Sequence, residues 1–404
     1  MSEYTNWKER CDYVNSISSS LIDGFLMYYA AQKDKIDREF ETRISRFKET
    51  TRQMPSSWKG MIKTQYIVHQ IFKEQGLIHK YLNHAAIKAR SAEEQEYLRS
   101  ASGYPWRFSF SEIISNPAPD FYEMEDVFTS EVFHLYSHSV TRTLSEYPVQ
   151  LWFNLIGYNG ACYQTFGPVI GFKGFNADDI FFYATELESA IQSEWDIIKH
   201  INENPVRYMM LAVGADFPLV FQQGNEMVQA ISAIDSVELD MQMLRKDFKV
   251  EYAESIFKLT HKVWSESPYF AEAYFDEETA DLLVFALSDK GYLELAAILN
   301  SYGLNVASEP DIRLHVSMSH VIEKVLKRKL HLNPYSHLFE SQQSPESEAQ
   351  MLKLNQLMAL ALPYINSGRQ PDVAALAKEA GVDPEVAKEL LEQAIGRIND
   401  LRKE

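Results

Sequence analysis

Apolar positions recur every three to four residues through residues 5–52, at Leu21, Phe25, Met27, Tyr28, Ile36, Phe40, Ile44 and Phe47. That period predicts a helical stretch with one buried stripe. A break follows at Met54-Pro55-Ser56-Ser57, where Ser56 or Ser57 is placed to cap a second helix starting near Trp58. Its stripe comprises Met61, Ile62, Tyr66, Ile67, Ile71 and Phe72, and Gly76 interrupts it. A further helix is predicted over Ile78–Arg99, ending before Gly103-Tyr104-Pro105. These segments together predict a helical hairpin or small bundle.

The pattern then changes period. From Phe121 to Leu187 the chain is rich in aromatic and β-branched residues punctuated by Asn-Gly and Gly-Pro. Val127–Thr129 and Val132–Tyr136 are predicted to flank a turn at Ser130-Glu131. Val149–Ile156 and Ala161–Phe166 flank Gly157-Tyr158-Asn159-Gly160, in which Asn-Gly is a strong hairpin signal. The outline resembles OB- or SH3-like barrels, a likeness of fold that implies no function. Trp106, Trp152 and the phenylalanines of FNADDIFFYATEL are expected in the core.

A helix is predicted from Ala184 to Asn202 with Thr185 at its start, then strands at Tyr208–Val213, Pro218–Gln222 and Met227–Ile231. Residues 238–263 read as helical. Glu272–Phe275 and Leu282–Leu287 are expected to pair, followed by a helix over Gly291–Ser301, a strand at Arg313–Ser317 and a basic amphipathic helix at His320–Leu330. The polar run Glu340–Glu348 reads as a linker, with a helix near Ala349–Ile365 beyond it. The fold class implied is α+β: an N-terminal helical part, a central small antiparallel β-barrel-like module, an α/β part and a short helical C-terminal tail. The corresponding regions are 1–103, 104–184, 185–339, the linker 340–348 and the tail 349–404.

The tail segment from Asp372 to Ala394 resembles a helix-turn-helix. Ala377 begins an Ala-x3-Gly step to Gly381, Val382 fills the turn, and Leu376, Ala380, Ala387 and Leu390 supply a small apolar core. Asp383 suits an N-cap and Pro384 a first helical position. The second helix opens with Asp383, Glu385 and Glu389, which phosphates repel, so the resemblance implies a protein contact module rather than specific DNA reading.

Composition narrows the classes. A formal net charge of −18 over 404 residues opposes indiscriminate attraction to nucleic acid or anionic lipid. The apolar stretch Leu151–Phe172 is interrupted by polar and glycine residues, and the chain start lacks the pattern of a signal peptide, so a cytoplasmic location without membrane contact is expected. The two cysteines, Cys11 and Cys162, lie far apart and form no CxxC motif, which argues against a disulfide framework.

Charge is unevenly distributed. Between Arg43 and Arg90 the chain carries Arg43, Arg46, Lys48, Arg52, Lys59, Lys63, Lys73, Lys80, Lys88 and Arg90 against only Glu49 and Glu74. A second cluster comprises Lys324, Lys327, Arg328 and Lys329. Such an asymmetry points to an anionic partner, with Lys59, Lys63, Lys73, Lys80, Lys324, Lys327 and Arg328 as candidate contacts. Tyr66, His69, His79, Tyr81 and His84 lie among these positions, where they are candidates for stacking on bases or for the core.

Catalytic signatures are sparse. GxSxG, P-loop and GxGxxG patterns are absent from the sequence. His134 and His138 have HxxxH spacing with Glu131 nearby, but in a strand that spacing separates them by about 13 Å. The expected function is that of a multi-domain binding or adaptor protein without a cofactor, docking on an RNA-containing assembly or an acidic protein through its basic face. The alternative is a metal-assisted hydrolase or nuclease-like enzyme drawing on Glu125, Asp126, His134, Asp178 and Asp179. A purely structural subunit of a larger complex is the third expectation.

Overall fold

The computed structural model describes residues 3–339 except 53, 216, 218, 219, 223 and 264–269, together with residues 353, 356, 357, 360, 361, 364, 371–388 and 391. It resolves into two units, Met1–Asn333 and Pro334–Glu404. The predicted linker 340–348 lies outside the described residues.

The first unit begins with helix α1 (Glu3–Leu21), which buries Cys11, Val14, Ile17 and Leu21. Its continuation departs from the expected single helix over 5–52. Ile22, Leu26 and Ala30 are buried at steps of four, wider than the 3.6 period, and the excess is absorbed by π turns at Ile22–Leu26 and Tyr29–Lys33. Lys35, at φ 62°, then ends the run before helix α2 (Ile36–Ser45). Helix α3 (Ser56–Phe72) starts two residues before the expected Trp58, with Ser56 and Ser57 inside its first turn rather than capping it, and it stops before Gly76, as its pattern predicts. The predicted helix over Ile78–Arg99 is three pieces, the last being α4 (Ala92–Gly103), where Ser91 and Glu94 form a capping box.

Next comes a closed five-stranded barrel: β1 (Arg107–Ala118), β2 (Phe121–Asp126), β3 (Val132–Tyr136), β4 (Leu151–Tyr158) and β5 (Tyr163–Phe172), in the order β1-β2-β3-β5-β4. Every pairing is antiparallel except β3 with β5, which is parallel. The connection between β3 and β4 carries helix α5 (His138–Glu146), capped by Ser137. This is a five-stranded Greek-key barrel of OB type.

Strand β1 has no counterpart in the sequence reading, and Val127–Thr129 is a turn rather than a strand. The buried Asp126 carboxylate accepts the N–H groups of Phe128 and Thr129 and so bends the chain there. Strand β4 is buried on both faces. Trp152 and Ile156 join Met124, Phe133 and Leu135, while Phe153 and Leu155 join the core shared with the N-terminal helices.

Gly157, expected in the hairpin turn, lies within β4. A Cβ there would stand 2.5 Å from Cε2 and Nε1 of Trp106, a ring held between Phe72 (4.2 Å between centroids) and Phe166 (4.1 Å). The indole has no room to retreat, so Gly157→Ala is expected to destabilise by about 1–3 kcal/mol. Gly103→Ala, with nothing within 4 Å, is the control and should be near neutral. Urea midpoints of the two variants check this, and equal midpoints would refute the packing argument.

After the barrel, the predicted single helix over Ala184–Asn202 is two helices, α6 (Ala177–Leu187) and α7 (Glu194–Glu203). Capping boxes at Asn176/Asp179 and Ser193/Asp196 set their starts, so Thr185 lies near the end of α6 rather than at a beginning. Tyr208–Val213 is helical, not extended: Pro205 starts one turn of helix that passes into a 3-10 turn, Met210–Gly214. Phe221–Gln222 pairs with Asn225–Glu226 in a minimal hairpin; Pro218 and Leu219, the start of the strand predicted there, lie outside the described residues.

A six-stranded antiparallel sheet follows: β6 (Val228–Ile234), β7 (Phe248–Ala253), β8 (Ile256–His261), β9 (Ala271–Asp276), β10 (Asp281–Ala286) and β11 (Ile312–His315). Its order is β11-β6-β10-β9-β8-β7. Most of the stretch 238–263, read as helical, is therefore the β7–β8 hairpin. Local polarity there imitates a solvated helix, and pairing of β8 to β9 overrides it. Helix α8 (Asp289–Ser301) supplies Tyr292, Leu295 and Leu299 to the sheet's own core. The basic helix α9 (Val316–Leu326) starts four residues earlier than predicted and buries Met318, Val321, Ile322 and Val325.

In the second unit, helix α10 (Val373–Ala380) is capped by Asp372 and stopped by Gly381 at φ 67°. Residues 384–388 are helical, and the Asp383 carboxylate caps them through the N–H groups of Glu385 and Val386. Leu376, Ala380 and Ala387 are buried with Leu357, Ala361 and Leu391. Glu389 and Leu390 lie outside the described residues.

Candidate functional site

The structure seats most of the predicted basic contacts against carboxylates of the same unit. Lys59 pairs with Glu41 at 2.8 Å, Lys63 with Asp37 and, at 3.6 Å, with Glu41, and Lys80 with Asp34. Arg43 reaches Glu39 at 2.9 Å. Lys73 is half-buried, and burial pushes its amine below the ordinary lysine value against the pull of Glu39. Arg328 pairs with Glu186. Of the aromatic positions among these lysines, Tyr66, Tyr81 and His69 are in the core, while His79 is exposed. Tyr66 and Tyr81 are buried and donate to Glu39 (2.6 Å) and Asp34 (2.7 Å). His69 is fully buried beside Phe108, and burial, then Lys73, push its pKa down to about 3.

Arg142 and Lys324 are among the basic side chains outside this pairing. Arg142 on α5 is exposed, and Lys324 on α9 lies over the ring of Phe217 with its ammonium 5.8 Å from the centroid. Burial, then the neighbouring Lys327, hold Lys324 below its ordinary value. No ion pair of Arg142 or Lys324 occurs among the described residues.

Each of these cations lines a cavity. One, of about 530 Å³, lies between α3, α5 and β5, with Trp58, Met61, Arg142 and Pro168 in its wall. The other, of about 350 Å³, is bounded by Pro55, Trp58, Tyr147, Ala212 and Lys324. Trp58 and Val169 line both, so the two cavities adjoin, with Arg142 in the wall of one and Lys324 in the wall of the other. Among the described residues, no carboxylate lines either cavity. The sequence places Lys324 in a basic cluster, and the fold brings it and Arg142 to adjoining cavities.

The acidic candidates separate into unlike places. Glu125 is exposed on β2. Asp126 is buried and accepts from Ser109 at 2.6 Å besides organising its turn. The His134 ring packs beside Trp7 and Tyr4, with centroids 5.0 and 6.1 Å away, while His138 opens α5 and contacts Asp120 at 2.9 Å. No group of three or more His, Cys, Asp or Glu side chains able to hold a metal ion occurs among the described residues.

Asp179 acquires a partner that sequence spacing did not reveal. One carboxylate oxygen accepts the His315 backbone N–H at 2.9 Å, and the other lies 2.5 Å from His315 Nδ1 and accepts the Asn176 N–H at 3.0 Å. Glu226 stands 3.1 Å from His315 Nε2, and Arg313 reaches Glu226 (2.7 Å) and Asp289 (2.8 Å). Burial lowers the His315 pKa, but the hydrogen bond and charge of Asp179, then Glu226, outweigh it and raise the group above its usual value. A charged imidazolium donating through both nitrogens has no free lone pair for general-base work. The cluster therefore acts as an electrostatic joint between α6 and the sheet. Beside it, Asp178 and Arg313 line a cavity of about 600 Å³ with Phe181, Phe182 and Thr185. Burial, then Asp179, push the Asp178 carboxyl up.

Cys11 and Cys162, 151 residues apart, are both buried with free thiols whose sulfurs lie 3.4 Å from each other. Nothing in their sequence contexts signals this contact. Among the described residues, no helix is long and apolar enough to cross a membrane. Comparison with protein-family models, curated proteins and solved structures yields no match to this chain.

Proposed function

We propose that this chain is a cytoplasmic binding or adaptor protein whose first unit receives an acidic segment of a protein partner in the cavities around Trp58. The observation that carries the reading is the pair of adjoining cavities, about 530 and 350 Å³, whose charged lining residues among those described are Arg142 and Lys324. Cavities of this size accept apolar side chains or small ligands. Two cations without compensating carboxylates favour a negatively charged occupant over a neutral one of the same shape.

RNA is the weaker partner on two grounds. Three of the lysines expected to contact phosphate, Lys59, Lys63 and Lys80, are paired to Glu41, Asp37 and Asp34. The outer aromatics of β2 and β3 are covered by α1, whose Tyr4 lies 5.3 Å and Trp7 6.2 Å from Phe121 between ring centroids. An exposed stacking platform is what sequence-tolerant nucleic-acid binding requires.

The test uses anilinonaphthalene sulfonate, an anionic aromatic dye, beside its uncharged phenylnaphthylamine analogue. Saturable dye binding that weakens about tenfold in Arg142→Glu or Lys324→Glu, roughly 1.4 kcal/mol, is expected, with the uncharged analogue unaffected. Dye binding indifferent to both substitutions would remove the cavities from consideration. Salt-dependent binding of polyuridylate, abolished when Lys59, Lys63 and Lys73 become Glu, would restore the RNA-containing assembly in its place.

A further inference from the structure

Helix α1 and the β4–β5 hairpin belong to distant parts of the chain, yet each contributes its cysteine to one buried point. The sulfurs lie 3.4 Å apart, and the sequence has no other cysteine. Asn159 fixes both: its side-chain N–H group donates to Cys11 Sγ at 3.3 Å and faces Cys162 Sγ at 3.7 Å. The same amide donates to Gln164 Oε1 at 2.7 Å, while Gln164 donates to the Cys11 carbonyl at 3.4 Å. Asn159 Oδ1 accepts the backbone N–H groups of Ala161 and Cys162, holding the hairpin that presents the second thiol. A disulfide requires about 2.05 Å between sulfurs, so closing the pair moves them together by only about 1.4 Å.

We propose that Cys11 and Cys162 are a reversible dithiol–disulfide pair, closed by a hydroperoxide and reopened by a small thiol, which clasps α1 onto the barrel. In the closing reaction the Cys11 thiolate attacks the peroxide oxygen, the O–O bond breaks, and a sulfenic acid and hydroxide or alkoxide form. The Cys162 sulfur then attacks the Cys11 sulfur, the S–O bond breaks, and the hydroxyl leaves with the Cys162 proton as water. Two thiols are thereby oxidised by two electrons, and the peroxide is reduced. Reopening consumes two small thiols and yields their disulfide, by exchange through a mixed disulfide.

The roles of the two cysteines follow from their surroundings. Hydrogen bonding from Cys162, and then from Asn159, lowers the Cys11 thiol against the opposing effect of burial, whereas the Cys162 thiol is raised by its bond to Cys11 and by burial. Asn159 also stands closer to Cys11 Sγ than to Cys162 Sγ, 3.3 against 3.7 Å, which favours Cys11 as the attacking sulfur and Cys162 as the resolving one. Entry of the oxidant needs a local opening of α1, which is held here by the Arg10 bond to the Asn159 carbonyl (2.8 Å), by the bonds of Asn159 and Gln164 to Cys11 and of Gln164 to Asn15, and by the seat of Tyr4 and Trp7 on Phe121. Closing the bond ties that helix down across 151 residues of chain.

The full chain is treated with hydrogen peroxide, denatured and alkylated. The expected product has lost about two daltons, takes up no alkylating agent, migrates faster on a non-reducing gel and yields one peptide joining Cys11 to Cys162. A small thiol should restore both alkylation sites. Oxidation should also raise the thermal midpoint of the wild type by several degrees, because the link constrains the unfolded chain. Cys11→Ser and Cys162→Ser should each lose the mobility shift. Retention of two free thiols, over-oxidation of a single cysteine without a link, cross-linked dimers, or a linked product with an unchanged melting midpoint would each overturn the proposal.

Discussion

Asp179→Ala is expected to cost the first unit about 3–5 kcal/mol, because it leaves a buried imidazolium without its principal counter-charge. Asp179 is itself fully buried, and its carboxylate accepts from the Asn176 N–H, the His315 N–H and the His315 ring. The substitution therefore removes a helix cap and an ion pair together. Asp179→Asn keeps acceptor capacity but not charge and should lie between the variant and the wild type. Urea unfolding followed by tryptophan fluorescence reads this unit selectively, since every tryptophan precedes residue 334. A loss below about 1 kcal/mol would mean that the joint does not bear on stability.

The same cluster sets a pH dependence of known sign. His315 is raised in the folded state, so the folded protein holds a proton that the unfolded chain releases near its ordinary value of about 6.5. The corresponding stabilisation is complete below that value and is lost as pH rises through the folded-state pKa. His315→Gln should be less stable at pH 6 but lack this decline between pH 6 and 9. A wild type whose stability rises over that interval, relative to the variant, would reverse the assignment of charge.

Phe110→Ala should be comparably damaging, at about 3–5 kcal/mol, since a large aromatic side chain is lost from a site that has little means of collapsing. Phe110 is 1% exposed and stacks on Phe153 at 4.4 Å between centroids. Phe172 and Tyr208 complete its surroundings at 6.3 and 6.1 Å. Because Tyr208 lies on the Pro205–Met209 turn, the cavity would weaken the barrel's contact with the helices that follow it. Phe110→Leu, which refills much of the volume, should recover most of the loss. Equal urea midpoints for the alanine variant and the wild type would show that this aromatic stack is dispensable.

The basic candidates illustrate how a linear window misleads about charge. Counting from Arg43 to Arg90 leaves out Asp34, Asp37, Glu39 and Glu41 just upstream. In the fold, π turns and the left-handed Lys35 return that acidic stretch alongside α3, where it meets Lys59 and Lys63. The 238–263 segment shows the same limit for secondary structure. Its polar spacing suits a solvated helix, yet hydrogen-bonded neighbours two strands deep make it a hairpin. Turn chemistry was more legible. Asn159-Gly160 does form the hairpin, with Gly160 at φ 97°, and Asp383 does cap its helix.

What the sequence alone determined is local and periodic: the α+β class, the aromatic block that becomes a barrel, the β9–β10 pair and the caps in the tail. Those features depend on residues close in the chain, through side-chain alternation, capping and turn preference. Tertiary structure alone decided which charges meet. It joined Asp179 to His315 across 136 residues and Cys11 to Cys162 across 151, and it placed Arg142 and Lys324 in the walls of two adjoining cavities. The physical reason is that electrostatic and covalent chemistry act over a few ångströms in space, whereas sequence fixes only neighbours along the chain.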